Sequence, residues 1–225
     1  MGRSTLLKKI VSIDKKLTEM YGEKKQFKFR DPTEELILTI LSQNTNDVNR
    51  DRAFRSLKAE FPGWGAIAQA RSASIAGAIK VGGLANIKSG RIKKILKQIG
   101  EKSEDYSISF IKKMTDNEAW EYLMSYEGVG PKTAACVMLF SLGRDFMPVD
   151  THVHRVSKRL GLIPENMNAE KAHDWYREMK PPVSFYRFHL NLIEHGRNLC
   201  RPAKPKCPEC GLKRQCVYFK RIGND

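Results

Sequence analysis

The sequence predicts an all-α fold, and three observations carry that expectation. Apolar residues recur at three- and four-residue spacing in one segment after another. Helix-start signals, Asp31-Pro32, Thr115-x-x-Glu118 and Asn168, stand at the heads of three of these segments. No stretch shows the apolar/polar alternation of a half-buried strand, and there is no internal repeat or low-complexity tract.

In chain order, Leu6, Leu7, Ile10, Ile13 and Leu17 make the apolar face of a first helix, followed by the basic stretch "GEKKQFKFR". Asp31 should cap a helix that has Pro32 at its first position and continues through "ELILTILSQ". Phe54 and Leu57 belong to a further helix, which "FPGWG" ends. "SASIAGAIK" is a short helix closed by Gly82-Gly83. From Lys88 to Ile99, Ile92, Ile95, Leu96 and Ile99 keep helical spacing. Thr115 and Glu118 form a capping box for "NEAWEYLMSY", and Asn168 caps "AEKAHDWYREM", which Pro181-Pro182 end. Pro131 opens a run of small and apolar residues, "PKTAACVMLF", too long for an ordinary strand.

The 225 residues suffice for one large domain or two small ones. The 41% apolar content is that of an ordinary globular protein. The net charge of +15 points to an anionic partner, a nucleic acid or a membrane surface. No apolar run approaches the roughly 18 residues that span a bilayer. The start, "MGRSTLLKKI", lacks the apolar core of a signal peptide, and Leu6 breaks the myristoylation pattern. An intracellular, reducing location is therefore expected, and the five cysteines read as thiols or metal ligands.

Four of them, Cys200, Cys207, Cys210 and Cys216, follow the spacing C-x6-C-x2-C-x5-C. Four thiolates within 17 residues are a metal signal, and S4 coordination suits zinc and an iron–sulfur cluster alike, zinc being the commoner structural case. Between the first two lies "RPAKPK", a stiff basic loop suited to phosphate. Cys136, amid Ala135, Val137 and Met138, reads as core.

Gly128-Val129-Gly130 turns the chain into the helix that begins at Pro131. Two glycines let backbone N–H groups approach a ligand, and the helix start favours an anion, as for one nucleic-acid phosphate. Lys132 then sits in the first turn, where the helix dipole opposes a cation. A lysine attacks as a nucleophile only when neutral. Lowering its pKa from about 10.4 to about 7–8 takes about 3–4 kcal/mol, of which the dipole supplies about 0.3–1 and burial the greater part. Asp150 follows 18 residues later. The helix carries the chain roughly 16 Å outward. The extended segment after Gly143 reaches back roughly 20 Å, so the two side chains can meet. Asp150 is also the natural N-cap of "THVHRVSKRL", with Val153, Val156 and Leu160 facing a core, and a capping carboxylate stays ionised.

Together these residues resemble the endonuclease III family of base-excision DNA glycosylases, within the helix-hairpin-helix superfamily, from about Asp31 to Cys216. "GVGPKTA" matches the family hairpin with its catalytic lysine at Lys132. "VDTHVHRV" matches the segment with the catalytic aspartate at Asp150. The cysteine spacing matches the family's [4Fe–4S] loop, which displaces zinc. "LSQNTNDVN" aligns with the segment whose polar side chain fills the gap left by an extruded nucleotide, at Asn44 beside Gln43. "GGLANIKSGRI" aligns with the loop whose apolar residue wedges into the duplex, at Leu84. The chain departs from the family at Tyr126-Glu127, where Leu-Pro is usual, and at Asn44, where Gln is common in bacterial relatives.

The resemblance implies two helical lobes: a six-helix barrel with the hairpin over residues 27–144, and a discontinuous iron–sulfur domain over 1–26 and 145–225. It implies a monomeric bifunctional glycosylase and abasic-site lyase of the cytoplasm or nucleoid. Its substrate would be double-stranded DNA carrying damaged bases, foremost oxidised pyrimidines, or abasic sites. Gln43, Asn44, Leu84, Gly128, Val129, Gly130, Thr133, His152, Arg201, Lys204 and Lys206 would touch the DNA, and Cys200, Cys207, Cys210 and Cys216 would hold the cluster. The alternatives are a uracil or thymine-mismatch glycosylase with weak or no lyase activity, and a non-catalytic helix-hairpin-helix DNA-binding protein.

Overall fold

A computed structural model describes residues 2–26 and 28–222. Phe27, where the sequence reading starts the barrel, lies outside the described residues, as do the terminal bounds Met1 and Asp225. Among the described residues there are twelve α-helices and no strand, so the all-α expectation holds. The chain forms two compact units, one of Phe29–Arg144 and one of Met1–Lys28 with Asp145–Asp225.

The first helix, α1 (Arg3–Tyr21), buries Leu6, Ile10, Ile13 and Leu17 along one face. In the continuous unit, α2 (Pro32–Ser42) starts as the sequence predicts. The Asp31 carboxylate accepts the N–H groups of Thr33 at 2.9 Å and Glu34 at 3.3 Å, and Pro32 has no N–H to leave unpaired. Leu36, Ile37, Ile40 and Leu41 are wholly buried, so α2 is the unit's core, each such side chain worth about 1.5–3 kcal/mol. Around it stand α3 (Asp47–Glu60), α4 (Trp64–Gln69), α5 (Ser72–Ala78), α6 (Ala85–Gly100), α7 (Asp116–Met124) and α8 (Pro131–Phe140). The capping box of α7 is formed as expected. Helix α8 packs against α2 and α7. It ends at Phe140, and Gly143, at φ +67°, turns the chain away with the Phe29 ring lying where a Cβ would stand.

In the other unit, α9 (Thr151–Leu160) buries Val153, Val156 and Leu160 against α11 (Phe185–Asn198), with α10 (Ala169–Met179) and α12 (Val217–Ile222) beside it. Helices α4, α11 and α12 are additions to the sequence reading. Helices α4 and α12 span only six residues, too few to display a period. In α11 the buried face is interrupted by His189, Asn191 and His195, so its apolar repeat is broken where it should be plainest.

Candidate active site and thiol pocket

Tyr126 anchors the base of the hairpin. Its ring is buried, and its hydroxyl pairs with that of Tyr122 at 2.5 Å. Gly128 takes φ +86°, and the side chain of Arg91 from α6 lies where its Cβ would be. The N–H of Val129 closes the turn on the Tyr126 carbonyl at 3.0 Å. Gly130 caps α8 with backbone alone, its carbonyl accepting from Thr133 and Ala134 at 2.9 and 3.0 Å. The first-turn N–H of Lys132 has no partner within the helix, which leaves that end of the hairpin receptive to an anion. Lys132 is half-buried, and its amine has no hydrogen-bond or ion-pair partner among the described residues. Val129 and Thr133, expected at the DNA surface, are both buried, and their side chains shape the hairpin from inside.

Gln43 and Asn44 leave the C-terminus of α2. The Gln43 amide oxygen accepts from Arg91 Nη1 at 2.5 Å, and Asn44, at φ 52°, is exposed. Leu84 sits at φ 49° before α6, with 48% of its surface open to solvent. A non-glycine residue in the left-handed region costs about 1–2 kcal/mol. Among the described residues five adopt it, and three of them, Asn44, Leu84 and Lys204, are residues expected to touch DNA. Such strain persists where the surroundings over-determine it, as at ligand-contacting loops.

In the discontinuous unit, Asp150 is the N-cap of α9, its carboxylate accepting the Val153 N–H at 2.7 Å. The extended residues before it are clamped by two buried histidines. His173 Nε2 accepts from the Val149 N–H at 3.0 Å, and His189 Nδ1 lies 2.9 Å from the Pro148 carbonyl. His152, one turn into α9, lies 3.2 Å through Nδ1 from Arg155 Nη2. Burial pulls its pKa below the usual histidine range despite Asp150, so it is neutral at pH 7.

Two arginines of α9 hold the cysteine segment. Arg155 donates to the carbonyls of Cys200 at 3.0 Å and Gly196 at 2.9 Å. Arg159 donates to Cys200 Sγ at 3.4 Å and to the carbonyls of Arg201 at 2.7 Å and Pro202 at 3.0 Å, while its guanidinium stacks 4.6 Å from the Tyr218 ring. Arg201, Lys204 and Lys206 are exposed on this loop.

Cys200, Cys207, Cys210 and Cys216 line one pocket with Arg159, His195, Lys206 and Lys213. Burial, with neighbouring thiolates adding to it, pushes the thiols of Cys207, Cys210 and Cys216 upward. The N–H groups of Leu212 and Phe219 point at the sulfurs of Cys210 and Cys216, at 3.4 and 3.5 Å. His195 is buried and its pKa falls to about 4, so it is neutral. Nδ1 lies 2.9 Å from the Tyr21 hydroxyl and Nε2 lies 3.7 Å from Cys210 Sγ. Tyr21, pushed up to about 12 by burial first and then by thiolate charge, stays protonated. Four cysteines facing one pocket, with N–H donors aimed at two of the sulfurs, make a donor set of the kind that binds a metal through thiolates.

The structure therefore gathers Gln43, Leu84 and the hairpin around α6, and Asp150, His152 and the basic cysteine loop around α9. The sequence reading missed the residues that do the gathering: Lys88, Arg91, Arg155, Arg159, His173, His189 and His195. One signal was present for Lys88, a lysine in helical register with Ile92, Ile95 and Ile99 on an apolar face.

Residues 37–182 match the family described as "HhH-GPD superfamily base excision DNA repair protein". An Arabidopsis thaliana protein described as a candidate DNA glycosylase is 37% identical over 175 residues, 76% of this chain and 60% of that protein. The chain thus spans less than two thirds of that relative. Endonuclease III of Thermotoga maritima is 32% identical over 193 residues, 86% of each chain. The fold is similar to that of a solved endonuclease III trapped as a covalent intermediate with DNA, with a TM-score of 0.81, 24% identity and 99% of each chain covered.

Proposed function

This chain belongs to the HhH-GPD superfamily of base excision DNA repair proteins, and from that premise we propose that it is a DNA glycosylase with abasic-site lyase activity. It acts inside the cell on double-stranded DNA carrying a damaged base, foremost an oxidised pyrimidine. The observation that carries the reading is the unpartnered amine of Lys132 in the first turn behind a glycine hairpin. The endonuclease III of Thermotoga maritima and the trapped endonuclease III–DNA intermediate support it.

The hairpin N–H groups grip one phosphate without reading sequence. Leu84 enters the stack as a wedge and Asn44, with Gln43, fills the space of the extruded nucleotide, offsetting the few kcal/mol that flipping costs. The glycosidic bond between C1′ and the base breaks, the base leaving with the electron pair. Asp150 stabilises the cationic sugar and accepts the proton that Lys132 Nζ gives up as its lone pair bonds C1′. Ring opening, with a proton to O4′, gives the Schiff base. Loss of a proton from C2′ then expels the 3′ phosphate and nicks the strand. Cys200, Cys207, Cys210 and Cys216 would hold a [4Fe–4S] cluster, which when bound is structural, keeping Arg201, Lys204 and Lys206 presented to phosphates.

Borohydride trapping across a panel of lesion-bearing duplexes tests the proposal. The wild-type chain should form a covalent adduct on its preferred lesion and Lys132→Gln none. Base release with no wild-type adduct on any lesion would instead favour the glycosylase without lyase activity.

A further inference from the structure

Lys88 is the most buried cation among the described residues, 1% exposed, and no carboxylate faces it. Its ammonium donates to two backbone carbonyls, Leu41 at 2.8 Å and Gly82 at 2.8 Å. Each belongs to the last turn of a helical segment, where carbonyls lack intrahelical partners. Each also stands just upstream of a strained residue: Leu41 is three before Asn44, and Gly82 is two before Leu84. Burial lowers the lysine's pKa, a cost that a cation without a counter-charge bears only for those two bonds.

Arg91, the next residue on the same face of α6, ties a further pair. It donates to Gln43 Oε1 at 2.5 Å, and its aliphatic stem and Nε pack on Gly128, where any side chain would displace it. Two cations one turn apart thus connect three loops: the end of α2, the turn before α6, and the glycine hairpin.

We infer that Lys88 and Arg91 are positioning residues that hold the gap-filling loop, the wedge and the phosphate-gripping hairpin in one register, so that wedging, filling and phosphate capture occur as one event. The inference rests on the roles proposed above for Asn44, Leu84 and the hairpin. A merely structural pair would set stability alone. A positioning pair sets how well the bound duplex is opened, separately from how tightly it is bound.

The test uses the full-length protein with its cysteine-bound group in place, and a duplex carrying a stable abasic analogue beside 2-aminopurine, whose emission rises on unstacking. Lys88→Met keeps length and removes the ammonium. Arg91→Met removes one half-exposed side chain with a single hydrogen bond and so spares the fold. Both should bind undamaged duplex within about threefold of wild type. Both should lose the lesion-dependent emission, and on a second duplex carrying an oxidised pyrimidine single-turnover base release should fall about 10²-fold, as for a misplaced reacting geometry. Arg91→Lys should recover part of the emission, and Gln43→Leu combined with Arg91→Met should fall no further than the worse single variant.

Wild-type emission and rate in Arg91→Met would overturn the inference, whatever becomes of Lys88→Met. So would a loss of undamaged-duplex binding equal to the loss of base release, which would make Arg91 a phosphate contact. If the wild-type chain itself unstacked nothing at the lesion, the wedge and plug roles would fall and take this inference with them. If wild type unstacks and both variants match it, those roles stand and only the positioning pair is lost.

Discussion

The two units hold their functional loops by opposite means. In Phe29–Arg144 the chain supplies everything. Lys88 and Arg91 of α6 satisfy the carbonyls and amide of the loops they organise, and Tyr126 with Gly128 shapes the hairpin from its own backbone. In the discontinuous unit, Arg155 and Arg159 converge on a segment whose four cysteines line one pocket, and in the function proposed above those cysteines bind a group the chain does not supply. On that proposal, the hairpin should be robust to solution conditions and the cysteine loop conditional on the group its thiols would bind.

The largest effects should come from the two chemical residues, one in each unit. Lys132→Gln should abolish borohydride trapping outright. Asp150→Asn should lower single-turnover base release about 10²–10⁴-fold. Thermal stability should not change with it, because Asn caps a helix as well as Asp and can still accept the Val153 N–H. A melting temperature that fell in parallel would mean that Asp150 matters as a cap alone. Asp150→Ala should add a stability loss of about 1 kcal/mol to the same kinetic defect.

Next comes the metal dependence. Cys210→Ser, or stripping the group by oxidation and chelation, should open residues 200–216 to proteolysis while Phe29–Arg144 stays protected. Duplex affinity should fall with the exposure of that loop. Equal loss of protection in both units would break the contrast. Arg159→Gln is a milder probe of the same loop, since it forfeits donors to one sulfur and two carbonyls. A cost of about 2–3 kcal/mol lowers the melting temperature of a chain this size by about 4–12 °C. On the other side of the comparison, Gly128→Ala forces a Cβ into Arg91 at a positive φ, and should cost about 1–2 kcal/mol with metal content unchanged.

What the sequence made legible follows the same division. Caps declare themselves by local chemistry, so Asp31, Thr115, Asp150 and Asn168 were readable, and each is the N-cap in the structure. Lys132, Asp150 and the four cysteines stood out by residue type and spacing and by the family resemblance, and the structure places Lys132 in the first turn of α8, Asp150 at the N-cap of α9 and the four cysteines around one pocket. The organising residues were not, because their partners are remote in sequence. Lys88 bonds a carbonyl 47 residues away and Arg91 an amide 48 away. Arg159 reaches 41 residues to Cys200, and His189 reaches 41 back to Pro148. No local pattern encodes such pairs, and buried polar residues such as His189 and His195 disguise the very helix that presents them. The burial of Val129 and Thr133 was hidden for a related reason, since a hairpin motif gives the order of residues but not which side faces the core.

The smallest expected effect is also the most discriminating for the conditional loop. Each phosphate neutralised by a basic side chain contributes about −0.9 to the slope of log affinity against log salt. Lys204 is exposed, strained at φ 48°, and no hydrogen bond or ion pair engages its amine among the described residues. Lys206 already faces Glu209 at 3.7 Å. If the loop presents these cations to DNA, Lys204→Ala should flatten the slope by about 1 and weaken binding uniformly across sequences. Lys206→Ala should flatten it less, because Glu209 competes for its charge. Removing the cysteine-bound group should then erase the difference between Lys204→Ala and wild type, since a disordered loop no longer holds Lys204 at a fixed phosphate. Titrations by fluorescence anisotropy over a series of salt concentrations, with and without the group, read all three slopes. A Lys204→Ala slope that differs from wild type equally in both states would mean that the basic loop meets DNA without the metal's help, and the contrast between a self-sufficient unit and a conditional one would not extend to binding.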